Sequence, residues 1–227
     1  HAFVDPLSTE GQNLVDPDVT SYGMGMFVRS TGPEERGPRT DPTPFSHPAQ
    51  YDAFQESSDK CGICHDVSNP YNCPSGEEYN AQQCFPLGRT YSEWKYSWFA
   101  DQGADYSCQG CHYPQATGKA SNDSGSPTRE VFVHKTASAN IWVREAIMYM
   151  YPDIKAGDSA SLNAAQTTAM SILQSGASVD AYDHTDAAAG RIEVKVTNLS
   201  GHKLPTGHYD SHRIWINVTG HDAAGNT

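Results

Sequence analysis

Two five-residue units, Cys61-Gly62-Ile63-Cys64-His65 and Cys108-Gln109-Gly110-Cys111-His112, set the chemistry open to this chain. Cysteines spaced C-x-x-C can ligate a metal ion, cycle as a redox disulfide, or add to the two vinyl groups of a haem. Zinc ribbons place about 15–20 residues between their two cysteine pairs, and the gap from Cys64 to Cys108 is far longer. A thioredoxin-like dithiol follows a strand at the head of a helix in a βαβ unit, a setting that neither motif has. Haem attachment accounts for every position, because the adjacent His65 and His112 are then placed beneath the ring as proximal iron ligands. The spacing therefore predicts two haem c groups, one on Cys61 and Cys64 and one on Cys108 and Cys111.

Six-coordinate haem iron also takes a distal ligand, and the choice between His and Met largely sets its potential. The candidates are His47, His134, His184, His202, His208, His212 and His221, with Met24, Met26, Met148, Met150 and Met170 behind them. Methionines on helices are mostly core filler, and His184 and His221 sit in polar loops as solvated side chains. His134, in "REVFVHKTASAN", lies beside apolar residues just before a predicted helix. His202 is held in "GHKLPTG", a loop restrained by its glycines and proline, and His47 precedes Pro48, which keeps it extended. His134 and His202 lead the distal candidates and His47 follows.

The elements that must position these residues are sparse. Residues 1–60 are rich in Pro, Gly, Asp and Ser and read as turns and extended coil, with Phe27, Phe45, Tyr51 and Phe54 available to pack on a surface such as a haem face. "RTYSEWKYSWFADQG" opens with Thr90 and carries Glu93 three residues on, a capping-box pattern for a helix ending at Gly103. Ala139, Val143, Ala146, Ile147 and Met150 fall at helical spacing before Pro152, and Leu162, Ala165, Ala169, Ile172 and Leu173 mark a second helix closed by Gly176. Ile192, Val194 and Val196 alternate with polar residues, as do Ile214, Ile216 and Val218, predicting two strands around the GHKLPTG loop and a turn at "DAAGNT". Two strands alone are marginal, so the β-domain is expected to be incomplete. The fold class expected is mixed: mostly irregular haem-wrapping coil with a few α-helices, then a small β-sandwich-like segment. The divisions are 1–135 for haem binding, 136–180 for the helices and 181–227 for the β-domain.

Composition fits this picture. Of 227 residues 37% are hydrophobic, a lean core that two bound macrocycles would help to fill. With 15 basic against 27 acidic residues the chain carries a formal −12, which argues strongly against a phosphate-binding surface and against nucleic acid as a partner. No run of about 18 apolar residues is present to span a bilayer. No charged stretch leads into an apolar one, so any export signal is expected to be removed or to lie outside this sequence. The remaining cysteines, Cys73 and Cys84, stand in the polar segment "NCPSGEEYNAQQCF" and most naturally pair. A disulfide persists outside a reducing cytosol, and haem is attached on the outer side of the energy-conserving membrane, so a periplasmic or extracellular location is expected. Sequons at Asn122, Asn198 and Asn217 permit glycosylation.

The ordered segments "RGPRTDPTPFSHP…SSDKCGICHDVSNP", "RTYSEWKYSWFADQGADYSCQGCHYP", "VFVHKTASAN" and "VTNLSGHKLPTGHYDSHRIWINVTGHDAAGN" resemble exported multihaem c-type cytochromes that end in a GHKLPTG β-domain. The resemblance runs from about Arg36 to the end. It implies electron transfer in the periplasm or at the cell surface, with His134 and His202 as distal ligands and His47 as a third. The chain departs from the pattern in carrying two C-x-x-C-H motifs where such proteins carry more. "HAFVDP" also reads as the last His of a further motif, which makes His1 a candidate ligand of a third haem. The partners expected are other redox proteins or haem subunits, with a homo-oligomer or filament as a further arrangement. Two other functions compete: a haem reductase or peroxidase acting on a small oxidised substrate, which needs an open iron position that the many histidines disfavour, and a structural subunit of a polymeric extracellular cytochrome assembly.

Overall fold

The computed structural model describes residues 3–6, 8–14, 27–41, 48–69, 71–73, 83–120, 125–133, 140–184, 190–207 and 212–226. His1, His47 and His134 lie outside them, as do His208 and Phe45. The described residues form short helices and small two-stranded sheets joined by irregular coil.

The first segment is more ordered than its turn-rich composition suggests. Phe3–Val4 pairs antiparallel with Val28–Arg29, and Glu35–Gly37 pairs parallel with Ala49–Tyr51. Helix α1, Thr9–Leu14, lies beside them. Arg36 ties these pieces together: its guanidinium meets Glu10 at 2.6 Å, Glu34 at 3.0 Å and Asp52 at 3.8 Å. Phe27 rests on Phe3, with ring centres 4.3 Å apart, while Val4, Val28 and Phe54 are buried.

The central segment carries both cysteine motifs. Helix α2 spans Ser58–His65, α3 spans Thr90–Lys95 and α4 spans Cys108–His112. Between the first two, Val67–Ser68 pairs with Pro86–Gly88, and a disulfide joins Cys73 to Cys84 as their place in the sequence predicts. The helix expected to run to Gly103 stops at Lys95. Short 3₁₀ turns at Trp98–Asp101 and Ala104–Tyr106 replace its second half. The capping box is also absent, because Arg89 is the N-cap and its side chain makes no capping bond to the helix, while the Glu93 carboxylate is committed elsewhere.

Gln115–Lys119 and Thr128–Phe132 form a hairpin. Helices α5, Ile141–Met150, and α6, Pro152–Ser175, then follow where the apolar period places helical structure. Pro152 does more than end α5; it opens α6, a position where its missing N–H costs nothing. Helix α6 thus begins well before Leu162, and it kinks at Asp158.

The β-segment departs from expectation in its pairing. Ile192–Asn198 is a strand, but its partner is the preceding Ala177–Asp183. Residues 212–220 take no strand structure, and Ile214, Trp215, Ile216 and Val218 are exposed. The sandwich-like arrangement is therefore represented by one two-stranded ribbon among the described residues. Alternation identifies a segment able to be a strand and says nothing about which neighbour it joins.

Exposed surface amounts to 15790 Å², against about 10,000 Å² for a compact chain of this mass. Among the described residues, the buried hydrophobic ones are Val4, Val28, Phe54, Ile63, Cys84 and Ala169.

Candidate functional site

The first motif is a helix with a fixed start and a fixed end. Ser57 caps α2 by accepting the Asp59 N–H at 3.0 Å. The i, i+3 spacing puts Cys61 and Cys64 on one side of it, with His65 closing the last turn. Cys64 and His65 are exposed, whereas the intervening Ile63 is buried. Gly62 is needed for close approach, since a Cβ there would stand 2.8 Å from the Tyr91 ring. Tyr91 also donates a short hydrogen bond to the Asp59 carboxylate. Just past His65, buried Asp66 accepts the Ser92 hydroxyl at 2.7 Å and the Ser92 N–H at 3.3 Å, with Arg89 at 4.0 Å.

The second motif repeats the plan. Ser107 caps α4 by accepting the Gly110 N–H at 3.0 Å, and a side chain at Gly110 would collide with the Asp105 carbonyl. Trp94 of α3 donates its indole N–H to the Tyr106 carbonyl at 2.8 Å, which fixes the turn leading into α4.

The two motif helices touch at their starts. The Cys108 N–H donates to Ser58 Oγ at 3.0 Å, and Gln109 Nε2 donates to the Ser57 carbonyl at 2.9 Å. The neighbouring Cys61 holds the Cys108 thiol below its ordinary value, while Cys108 and burial raise Cys61. Burial raises Cys111.

Of the three leading distal candidates, His134, His202 and His47, the structure describes His202 and brings it to the second motif. The His112 and His202 rings have centres 6.3 Å apart and planes 20° from parallel. A metal–imidazole nitrogen bond is about 2 Å and the ring centre lies about 1 Å beyond, so two imidazoles sharing one metal ion have centres about 6 Å apart. His202 Nδ1 lies 3.1 Å from the Lys203 carbonyl. Donation there fixes the tautomer and leaves the Nε2 lone pair for a ligand bond, the usual arrangement of a metal-bound histidine. Burial, and then the neighbouring His112, push the His202 imidazole below its ordinary value, which favours the neutral form that can ligate. The donor set and this spacing fit a haem iron.

The loop bearing His202 docks on α3. Glu93 Oε2 accepts the Lys203 N–H at 3.0 Å and the Thr206 hydroxyl at 2.7 Å, and Thr206 also meets Thr90 at 2.8 Å. Gly201 lies against Trp94, where a Cβ would stand 2.9 Å from Cδ1. The sequence marks Thr90 and Glu93 as a helix cap and Gly201, Lys203 and Thr206 as part of the GHKLPTG loop, but carries no signal that joins the two. The other candidates are placed differently. His184 pairs with Glu193 at 3.3 Å, the Met148 sulfur lies 4.0 Å from Arg144, and Met150 and Met170 are exposed. Among the described residues, no group of three or more His, Cys, Asp or Glu side chains is gathered as a metal-ion site, and no helix is long and apolar enough to cross a membrane.

No family model, curated protein or solved structure matches the chain.

Proposed function

We propose that this chain is a multihaem c-type cytochrome that passes electrons outside the cytoplasm, with haem held at Cys61, Cys64 and His65 and again at Cys108, Cys111 and His112. The observation that carries the proposal is the His112–His202 pair, whose 6.3 Å ring separation suits one iron between two imidazoles. His202 is then the distal ligand of the second haem. Bound haem iron supplies one-electron chemistry, alternating between ferric and ferrous states.

The chain's own residues do the rest. The Cys108 and Cys111 thiols would anchor the group as thioethers. His112 and His202 would both hold the iron of a bound haem, His112 as the proximal and His202 as the distal ligand, which disfavours a reductase or peroxidase there. The Ser58–Cys108 and Ser57–Gln109 hydrogen bonds keep the two motif helices together, which would hold two attached haems near each other. The Cys73–Cys84 disulfide supports an oxidising compartment.

Replacing His202 with Met tests the assignment. The variant should raise the potential of one haem, leave the other nearly unchanged and add the weak near-infrared band of Met-ligated ferric haem. Unchanged potentials and spectrum would make His202 a loop residue only.

A further inference from the structure

Helix α3 gives successive residues to different parts of the site. Tyr91 packs on Gly62 of the first motif, Ser92 binds Asp66 beyond it, and Trp94 holds the carbonyl of Tyr106 before the second motif. Glu93 alone among these hydrogen-bonds the loop that carries His202, while Trp94 packs against its Gly201. Its side chain is only 13% exposed, and one oxygen, Oε2, accepts both the Lys203 N–H and the Thr206 hydroxyl. These two bonds flank Leu204 and Pro205 and fix the backbone immediately after the imidazole. The Lys203 ammonium contributes little, since it is 78% exposed and 3.7 Å away, where solvent screens it.

We propose that Glu93 is the positioning residue for His202, acting as an acceptor latch that holds the 201–207 loop against α3 and so keeps the imidazole opposite His112. This rests on the reading of His202 as an iron ligand. Charge is not what the latch requires: an uncharged amide oxygen in the place of Oε2 accepts the same two bonds. Removing the acceptor leaves the Lys203 N–H and Thr206 hydroxyl without it and frees the loop.

The test compares the full chain carrying its haem with the variants Glu93→Ala, Glu93→Gln, Thr206→Val and His202→Ala. Glu93→Ala should show a high-spin ferric fraction and, when reduced, carbon monoxide binding at one of the two haems. Trypsin should also cut it after Lys203 at least about tenfold faster than the parent, the factor expected for losing hydrogen bonds to a charged group. Glu93→Gln should restore both readouts to near the parent values, and Thr206→Val, which keeps the Lys203 bond, should fall between. A Glu93→Ala protein that stays fully low-spin and is cut at the parent rate overturns the latch, as does a Glu93→Gln protein no better than Glu93→Ala. If His202→Ala leaves every haem low-spin and closed to carbon monoxide, the ligand reading itself fails and takes the positioning role with it. A cleavage rate that still responds to Glu93 would then mark a loop clasp with no haem role.

Discussion

Ser58, in the first turn of one cysteine motif, accepts the backbone N–H of Cys108, the first residue of the other, at 3.0 Å. Ser58 is 4% exposed, so this bond is made away from water and joins the two motifs directly. Ser58→Ala should leave the Cys108 N–H without its acceptor and lower unfolding free energy by about 1–2 kcal/mol, read from denaturant midpoints at constant m-value. On the cytochrome account the same contact keeps the two haems close. A potentiometric titration should then resolve two one-electron steps, because the first electron raises the cost of the second. A single two-electron-wide wave with independent sites would argue against close haems.

The glycines at the interfaces of α3 make a paired prediction. Gly201→Ala would place a methyl 2.9 Å from Trp94 Cδ1, and Trp94 is held by its bond to the Tyr106 carbonyl. The cost should be about 1–3 kcal/mol, the usual range for overpacking. Gly37→Ala is the control, since a Cβ there meets no atom within 4 Å. Thermal unfolding of the two variants should separate them clearly.

The fold of this chain was legible where it is local, and less so where it depends on distant partners. Both C-x-x-C-H units, the Cys73–Cys84 bridge and the helical periods of 141–150 and 162–173 are short-range patterns that composition and spacing expose. Glu93 shows the limit: Thr90 and Glu93 look like a capping box, yet the carboxylate serves Lys203 and Thr206, more than a hundred positions along the chain. A capping box and a long-range acceptor need the same residue, and only the fold chooses between them. The strand partner of Ile192–Asn198 was missed for a related reason. Ala177–Asp183 carries Asp180 and Asp183, which lower strand propensity, whereas the alternation at Ile214–Val218 predicts a strand that the structure does not form. His1, His47 and His134 lie outside the described residues, so their proposed ligand roles rest on sequence.

Arg36 should anchor the first segment. Its guanidinium serves Glu10, Glu34 and Asp52 from a side chain 10% exposed, so Arg36→Met should cost about 2–3 kcal/mol, the scale of a hydrogen bond to a charged group. Acid should mimic part of that loss. The Glu34 carboxyl is held below its ordinary value by a backbone hydrogen bond and by Arg36, and that of Asp41 by Arg129. Depressed carboxyls stabilise the fold above their unfolded values, here 4.5 and 3.8, and that contribution disappears as pH falls through the lower folded values. Stability should therefore decline below about pH 4.5, and less steeply in Arg36→Met. An equally steep decline in the variant would dissociate Arg36 from the acid response.

Opening the Cys73–Cys84 disulfide should lower stability by about 3 kcal/mol through the chain entropy released in the unfolded state. The double variant Cys73→Ser/Cys84→Ser reports this in denaturant. In the parent, alkylation without reductant should leave both residues unlabelled, and label on either would contradict the bridge.

Haem content tests the central claim most directly. The chain should be produced with a c-type haem attachment system and analysed whole, under denaturing conditions, by mass spectrometry. Two covalent haem increments are predicted, reduced to one by Cys61→Ala/Cys64→Ala or by Cys108→Ala/Cys111→Ala. A parent chain at its bare polypeptide mass under those conditions would contradict the cytochrome account.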